Sequence, residues 1–393
     1  MIKKNALILQ SGGVTSVINR SLSGIIKEMQ KQLPNSQIYG SDHGIEGLIL
    51  GKTPDITDIT DAQLNSLTIS PGAALGSSRH KIKESEIPQI INNLKQHSIE
   101  IIYMIGGNDS AETGLLLNNY FSNNNIDIQI IHVPKTIDND LEETDHCPGY
   151  GSSARFISQA TLGSGKDAWS MGDASPITIL EVMGRDTGWL ATASALYKKD
   201  DFDPPHFIAI PEQSFDENDF LLKIEAAYRK FGYATVVIAE NIKSNGLPIG
   251  DASVPWFTDD FGHEYYESPS RYLSKQVTKR LSLRCRYERP GTIQRSLIDS
   301  VSTTDAYEAE LVGKAAVIEA QENKSNIMIT LIRKTTDPYN VITGTTSLNK
   351  IAGKVKVLPK AFYPSTDGHP SDAFIKYVSP LIGTPIDRIN RLL

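Results

Sequence analysis

Residues 128–140 read IQIIHVPKTIDND, and this stretch decides the fold. Ile128, Ile130, Ile131 and Val133 form a short apolar, β-branched run, the pattern of a strand buried on both faces of a parallel sheet. The run breaks into Pro134-Lys135-Thr136-Ile137-Asp138-Asn139-Asp140, a loop with two carboxylates two residues apart and a lysine just upstream. In open α/β sheets ligands bind at the carboxyl ends of strands, so this loop stands where chemistry is done. A bare Asp-x-Asp on a solvated loop has the same look. The flanking sequence outweighs that reading.

Two junctions of one kind lead into the loop. Ala6–Gln10 (ALILQ) is an apolar strand followed by Ser11-Gly12-Gly13, and a helix is expected over Val17–Leu33 with Ile18, Leu22, Ile25, Ile26 and Met29 on one face. Ile101–Ile105 (IIYMI) is a second strand, ending in Gly106-Gly107-Asn108-Asp109-Ser110, with helix expected over Ala111–Asn118. Strand, glycine turn and helix together aim backbone N–H groups at a phosphate. One such junction is ordinary, because any tight turn into a helix favours glycine. Two of them beside a carboxylate loop point to a phosphate-handling site.

The rest of the chain continues the alternation. Pro71–Lys83 (PGAALGSSRHKIK) is a small-residue loop with Arg79, His80, Lys81 and Lys83, suited to an anion and equally to a solvated basic turn. A helix is expected over Glu84–His97 and another within Gly149–Lys166. The strand Ile177–Val182 ends in Met183-Gly184-Arg185, with helix over Trp189–Lys198; strands Phe207–Ile210 and Thr235–Ala239 flank a helix over Glu217–Lys230, and Glu240 sits at a strand's carboxyl end. Residues 251–264 read as a loop and Ser270–Leu283 as a basic amphipathic helix. Arg284, Arg286, Arg289 and Arg295 surround a Pro-Gly turn, which suits guanidinium recognition of a phosphate dianion or, alternatively, a solvated basic helix end. A helix over Asp305–Glu319 and a strand over Asn326–Arg333 follow, while 341–393 carries no motif.

A length of 393 residues predicts two or three domains or one large α/β body. Hydrophobic content of 39% against 22% charged allows a sizeable core. The net charge of −7 argues against nucleic acid or an anionic membrane as the main partner, leaving room for a local basic pocket. Cys147 and Cys285 lack metal spacing and read as reduced thiols of a cytosolic protein. With no apolar run of membrane-spanning length, a soluble, cytoplasmic protein is expected.

Ser11-Gly12-Gly13, LGSSR at 75–79, GGNDS at 106–110, PKTIDND at 134–140, EVMGR at 181–185, the strand ending in Glu240 and GTIQR at 291–295 occur in the order found in phosphofructokinases. From about Ala6 to Asp305 the chain resembles that family. TIDND and MGR are the specific strings; NAD kinases share a Gly-Gly-Asp-Gly turn but lack both. The resemblance implies an α/β fold of two similar three-layer, Rossmann-like domains with the active site in the cleft between them. It also implies a phosphoryl-donor domain of 1–149 with about 293–340, and a sugar-phosphate domain of 150–292 with about 341–393. The implied reaction is reversible, Mg²⁺-dependent phosphoryl transfer to the 1-hydroxyl of fructose 6-phosphate.

Residue roles follow from the same resemblance. Asp138 is similar to the family's catalytic base, Asp140 to the second acid near the metal, and Thr136 to a residue holding sugar or phosphoryl oxygens. Met183, Gly184 and Arg185 resemble the segment contacting fructose 6-phosphate, with Arg185 also placed to stabilise transition-state charge. Glu240 resembles the carboxylate on the sugar hydroxyls, and Arg286 and Arg295 the arginines on the 6-phosphate. Gly13, Arg79, Gly107 and Ser110 fall on the donor side. ATP-using members have glycine at the positions of Asp109 and Lys135. A carboxylate at 109 would repel the α-phosphate of ATP, and an ammonium at 135 suits a small, highly charged donor, so pyrophosphate is the expected donor. The metal set implied is Asn108, Asp138 and Asp140, although the family usually has aspartate at 108. Pro176 stands where ATP-dependent bacterial members offer an arginine across a subunit interface. Ser23 and Lys27 only partly match the basic effector site, so effector control of that kind is not expected. A homodimer is the family expectation. The alternatives are an ATP-dependent 6-phosphofructokinase and a non-catalytic sugar-phosphate-sensing subunit, and sedoheptulose 7-phosphate fits much of the same acceptor chemistry.

Overall fold

Leu7 and Leu9 face one way and Ala6 and Ile8 the other, yet all four are fully buried. A strand with no polar face must be covered on both sides, and helices cover it. The computed structural model describes residues 3–250, 255–262 and 264–384. Its strands in chain order are β1 Asn5–Gln10, β2 Ile38–Gly40, β3 Ile99–Gly106, β4 Gln129–Pro134, β5 Ile177–Val182, β6 Phe207–Ala209 and β7 Ala234–Ala239. Two short hairpins follow, β8 Lys243–Ser244 with β9 Leu247–Pro248 and β10 Phe257–Thr258 with β11 Glu264–Tyr265. Then come β12 Cys285–Glu288, β13 Ile327–Thr336 and β14 Tyr339–Ser347.

The chain divides into two α/β units. One runs through Tyr150 and resumes over Arg295–Lys356; the other comprises Gly151–Gln294 and the chain from Val357 onward. The first holds a six-stranded sheet in the order β14-β13-β4-β3-β1-β2, parallel except for the antiparallel β13–β14 pair. On one face the helices Ile18–Gln32 and Thr303–Gln321 pack over Ile8, Tyr103, Ile131 and Ile329. On the other, Ile87–Gln96 and Asn108–Asn123 pack over Leu9, Ile102, Met104 and Ile130. The second unit holds the all-parallel sheet β12-β5-β7-β6. No helix among the described residues is long and apolar enough to cross a membrane.

Helices Ile18–Gln32 and Thr303–Gln321 approach backbone to backbone through two glycines. A Cβ on Gly24 would lie 2.3 Å from the Glu310 carbonyl oxygen, and one on Gly313 would lie 2.3 Å from that of Ser21. Backbone cannot swing aside as a flexible side chain does, so Gly313→Ala is expected to destabilise the protein by about 1–3 kcal/mol. A shift of the urea midpoint at constant m checks this.

Several elements differ from the sequence expectation. The helix after the second glycine turn starts at Asn108 rather than Ala111, because Gly107 is its extended N-cap and Asn108, Asp109 and Ser110 form its first turn. The helix at Trp189 stops at Ala193, where Ser194 Oγ donates to Ala191 O and i→i+3 bonds tighten the chain. The arginine-rich stretch is not a helix end: Cys285–Glu288 is the edge strand β12, paired with β5. Residues 341–393 are not featureless, since β14 closes the edge of the first sheet and the first unit's return extends to Lys356. Parts of two sequence expectations, 251–254 with 263 in the loop and 385–393 at the C-terminus, lie outside the described residues.

Candidate active site

Three strand ends of the first unit converge. β1, β3 and β4 are neighbours, and their carboxyl ends run into the Ser11–Gly13 turn, the Gly106–Ser110 turn and the 135–140 loop respectively. Lys135 ties them together. Its N–H donates to Gly106 O (3.0 Å), and its buried ammonium donates to Ser11 O and Gly13 O, both at 2.7 Å. The loop at 77–79 lies along the first turn: Gly12 N–H donates to Ser78 O (3.0 Å) and Ser77 Oγ to Gly12 O (2.7 Å). This delivers Arg79 to Gly13. A Cβ on Gly13 would fall 2.3 Å from Arg295 Nη1 and 4.0 Å from Arg79 Nη2, so two guanidinium groups cover that glycine.

The second turn presents a helix N-terminus. Gly106 leaves room for Ser110, whose Oγ would sit 2.0 Å from a Cβ at 106. Asn108 Nδ2 donates to Asp140 Oδ2 (3.2 Å), while Asn108 Oδ1 is buried and accepts no hydrogen bond. The amide thus joins the glycine turn to the carboxylate loop and leaves one oxygen for a cation. Asp109 is half-buried in the same first turn, its carbonyl accepting from Thr113 Oγ1 (3.0 Å).

The carboxylate loop is closed on itself. Thr136 N–H donates to Pro148 O (3.2 Å), Thr136 and Gly149 form a parallel bridge, and Cys147 N–H donates to Asn139 Oδ1 (3.0 Å). Asn139 takes φ +56°, which asparagine tolerates. The half-exposed Asp138 and the buried Asp140 flank it, and Asp138 N–H donates to Thr136 Oγ1 (3.1 Å).

The second unit carries a separate group. Gly184 (φ +137°) and Arg185 (φ +51°) make a sharp turn after β5. Glu240, at the end of β7, accepts from Arg185 N–H (3.0 Å) and so fixes that strained residue. Burial raises the Glu240 pKa, opposed by that N–H bond. Met183 N–H donates to Gln294 Oε1 (3.1 Å), joining the MGR and GTIQR strings. Arg286 is not brought to this group. It stands in register with Thr178, four residues, or about 13 Å, before Val182, and it pairs with Asp167. Arg289 instead donates to the buried Glu181 (2.9 Å), which also accepts from Ser270 N–H (3.1 Å) and Ser270 Oγ (2.6 Å).

Some of these residues escaped sequence reasoning. His132 on β4 donates from Nε2 to Gly107 O (3.2 Å), the only sense a carbonyl allows, and burial pushes its pKa down to about 4, so it is neutral. Glu181 and Gln294 lay inside quoted strings without being singled out. Burial pushes both thiols, Cys147 and Cys285, up to about 12, consistent with inert side chains.

The phosphofructokinase family profile matches residues 5–319. The chain belongs to the phosphofructokinase family. It is 34% identical, over all of its length and 97% of the relative's, to the pyrophosphate–fructose 6-phosphate 1-phosphotransferase of Rhodospirillum rubrum. The crystal structure of the pyrophosphate-dependent phosphofructokinase from Nitrosospira multiformis superposes with a TM-score of 0.87 at 33% identity, covering 99% of this chain and 94% of that one. The enzyme of the same description from Marinobacter aquaeolei gives 0.84 at 32% identity, covering 98% and 94%. Membership accounts for the order of the strings along the chain.

Proposed function

We propose that this protein is a pyrophosphate-dependent phosphofructokinase, reversibly transferring a phosphoryl group from pyrophosphate to the 1-hydroxyl of fructose 6-phosphate. The observation that carries this is the junction at β3 and β4, where the Gly-Gly-Asn helix N-terminus meets the carboxylate loop through the Asn108–Asp140 bond. Asp138, the half-exposed member of that loop, takes the proton from the attacking hydroxyl, and Thr136 orients the loop's polar atoms. Arg185 stabilises charge that develops on the transferred group. Met183, Gly184, Arg185 and Glu240 serve the sugar phosphate in the second unit. Arg295, which the family resemblance puts on the 6-phosphate, lies over the donor-side Gly13, so we assign its guanidinium to the donor; the 6-phosphate role of Arg286 is its family counterpart's.

Gly13, Arg79, Gly107, Asp109, Ser110 and Lys135 serve the donor. Asp109 is where a nucleotide's α-phosphate would meet negative charge, which favours pyrophosphate over ATP. The residues present fit Mg²⁺: Asn108 Oδ1 is an unpartnered buried oxygen beside Asp140, a hard-oxygen set. Asn108 and Asp140, with Asp138 adjacent, would hold the ion, which neutralises phosphate charge. The amide replaces one charge of the usual aspartate pair and keeps Asp140 in place. A homodimer belongs to the same proposal, and sedimentation tests it.

The test is formation of fructose 1,6-bisphosphate from fructose 6-phosphate and Mg²⁺ with pyrophosphate or with ATP. Turnover with pyrophosphate is expected; turnover with ATP alone would overturn the donor. A finer check uses Gly13→Ala. The clash is with the end of a flexible arginine rather than with backbone, so the unfolding midpoint should hold. The displaced guanidinium should raise KM for pyrophosphate about 10-fold, the scale of one charge-assisted hydrogen bond.

A further inference from the structure

Beneath the carboxylate loop lies a charged network that the reaction itself does not use. The chain returning from the loop, residues 144–149, is fastened to the helix Thr303–Gln321 at two places one turn apart. Gly149 N–H donates to Asp305 Oδ1 (2.8 Å), and His146 Nε2 lies 2.5 Å from Glu308 Oε2. His146 Nδ1 lies 2.8 Å from Asp145 Oδ2. Both ring nitrogens therefore face carboxylate oxygens, which as anions only accept, so both carry protons and the ring is a cation. His146 and Glu308 are each about 1% exposed. Three further groups around the pair are held by hydrogen bonds. Tyr339 OH on β14 donates to Glu308 Oε1 (2.5 Å), Arg333 on β13 donates to Asp145 Oδ2 (2.9 Å), and Lys356 Nζ donates to the carbonyls of Thr144 and Asp145 (3.0 Å each).

The path from this network to the loop is short. His146 precedes Cys147, whose N–H holds Asn139, the residue between Asp138 and Asp140. We propose that His146 is a positioning residue for phosphoryl transfer, its doubly bonded imidazolium pinning the return limb to Glu308 and thereby fixing Asp138 and Asp140. This rests on the functional reading above. A buried ion pair is weak evidence for net stability, but here it sets the position of a loop that has no strand or helix of its own.

The position carries a pH signature. The two carboxylates raise the His146 pKa to about 9 against the lowering effect of burial. A histidine raised in the folded state contributes its full stabilisation below about 6.5. That contribution is lost as pH rises through about 9. The alkaline limb of kcat should follow it. Because Lys356 also faces Asp145, the limb is assigned with a variant that touches His146 and not Lys356.

The experiment compares kcat against pH, from neutral to strongly alkaline, for the wild type and Glu308→Gln with fructose 6-phosphate, pyrophosphate and Mg²⁺, at a temperature where both are folded by circular dichroism. Removing the buried charge should move the alkaline limb down by about 1–3 pH units. His146→Gln should lose kcat on the order of 100-fold at neutral pH, the cost of a displaced catalytic group, with KM for fructose 6-phosphate little changed. Superimposable pH profiles would overturn the positioning role. Asp138→Ala separates the two levels: if it is inactive and the profiles still coincide, only the inference fails, whereas an active Asp138→Ala removes the functional reading and the inference with it. Should the variants not fold, hydrogen exchange on the wild type decides. Peptides from 136–149 should lose protection as pH passes about 9 while those from β3 keep it, and equal behaviour of the two would refute the proposal.

Discussion

Asp138→Ala is expected to lower kcat on the order of 10³-fold, within the range for removal of a general base, with little effect on the fold. In free energy that is about 4 kcal/mol of transition-state stabilisation. Asp138 is half-buried, and its backbone N–H, which donates to Thr136 Oγ1, is retained by alanine. The loop's closure runs through Thr136, Asn139, Cys147 and Gly149 instead. The unfolding free energy should therefore fall by no more than about 1 kcal/mol, the centre of the range for point substitutions. KM for fructose 6-phosphate should change far less than kcat, because the sugar-phosphate residues lie elsewhere in the sequence and keep their geometry. Steady-state kinetics with pyrophosphate, paired with urea unfolding of the same preparation, makes the check. An unchanged kcat would remove Asp138 as the base, and a large loss of stability would reassign it to structure.

Much of this was legible in the sequence because the informative residues are local. β1, β3, β4, β5 and β7 are apolar runs of the right length, and each signals its own carboxyl end by a glycine, a proline or a carboxylate. The convergence of Ser11–Gly13, Gly106–Ser110 and 135–140 follows from parallel neighbours sharing one end of a sheet. What stayed hidden depends on distant partners. β12 is an arginine-rich edge strand whose extension comes from pairing with Ile177–Leu180, while its composition reads as a phosphate-binding arginine cluster or a basic helix end. β14 alternates Val341, Thr343 and Thr345 with Ile342, Gly344 and Thr346, and only its hairpin partner β13 identifies it. The burial of Lys135 is the same kind of fact. Nothing local says that a lysine beside two carboxylates turns away from solvent onto Ser11 and Gly13, more than 120 residues earlier. The Asn108–Asp140 bond likewise turns an apparent departure from the family pattern into a bridge that no spacing rule predicts.

That burial sharpens what a change at Lys135 should do. If the ammonium acted only as a point of positive charge offered to the donor, Lys135→Met would raise KM for pyrophosphate and leave the fold alone. The geometry says otherwise. Its Nζ is the donor that satisfies Ser11 O and Gly13 O at 2.7 Å, and it lies 3.5 Å from where a Cβ on Gly12 would be. Methionine matches the stem and donates nothing, so two carbonyls of a tight turn lose their partner, at a cost of about 1–3 kcal/mol for each that stays buried. The turn should relax, carrying Gly13 away from Arg79 and Arg295. The expected result is a combined one: a urea midpoint lowered by about 2 kcal/mol or more, and kcat/KM for pyrophosphate down on the order of 100-fold. Donor choice should then separate from donor binding. Asp109→Gly removes a half-buried carboxylate and leaves the Lys135 bonds to Ser11 and Gly13 in place, so it should open ATP use more readily than Lys135→Gly, which unpins the turn that any phosphoryl donor needs. If Lys135→Met keeps the wild-type midpoint and only KM changes, the ammonium is a ligand for the donor rather than the support of its cradle.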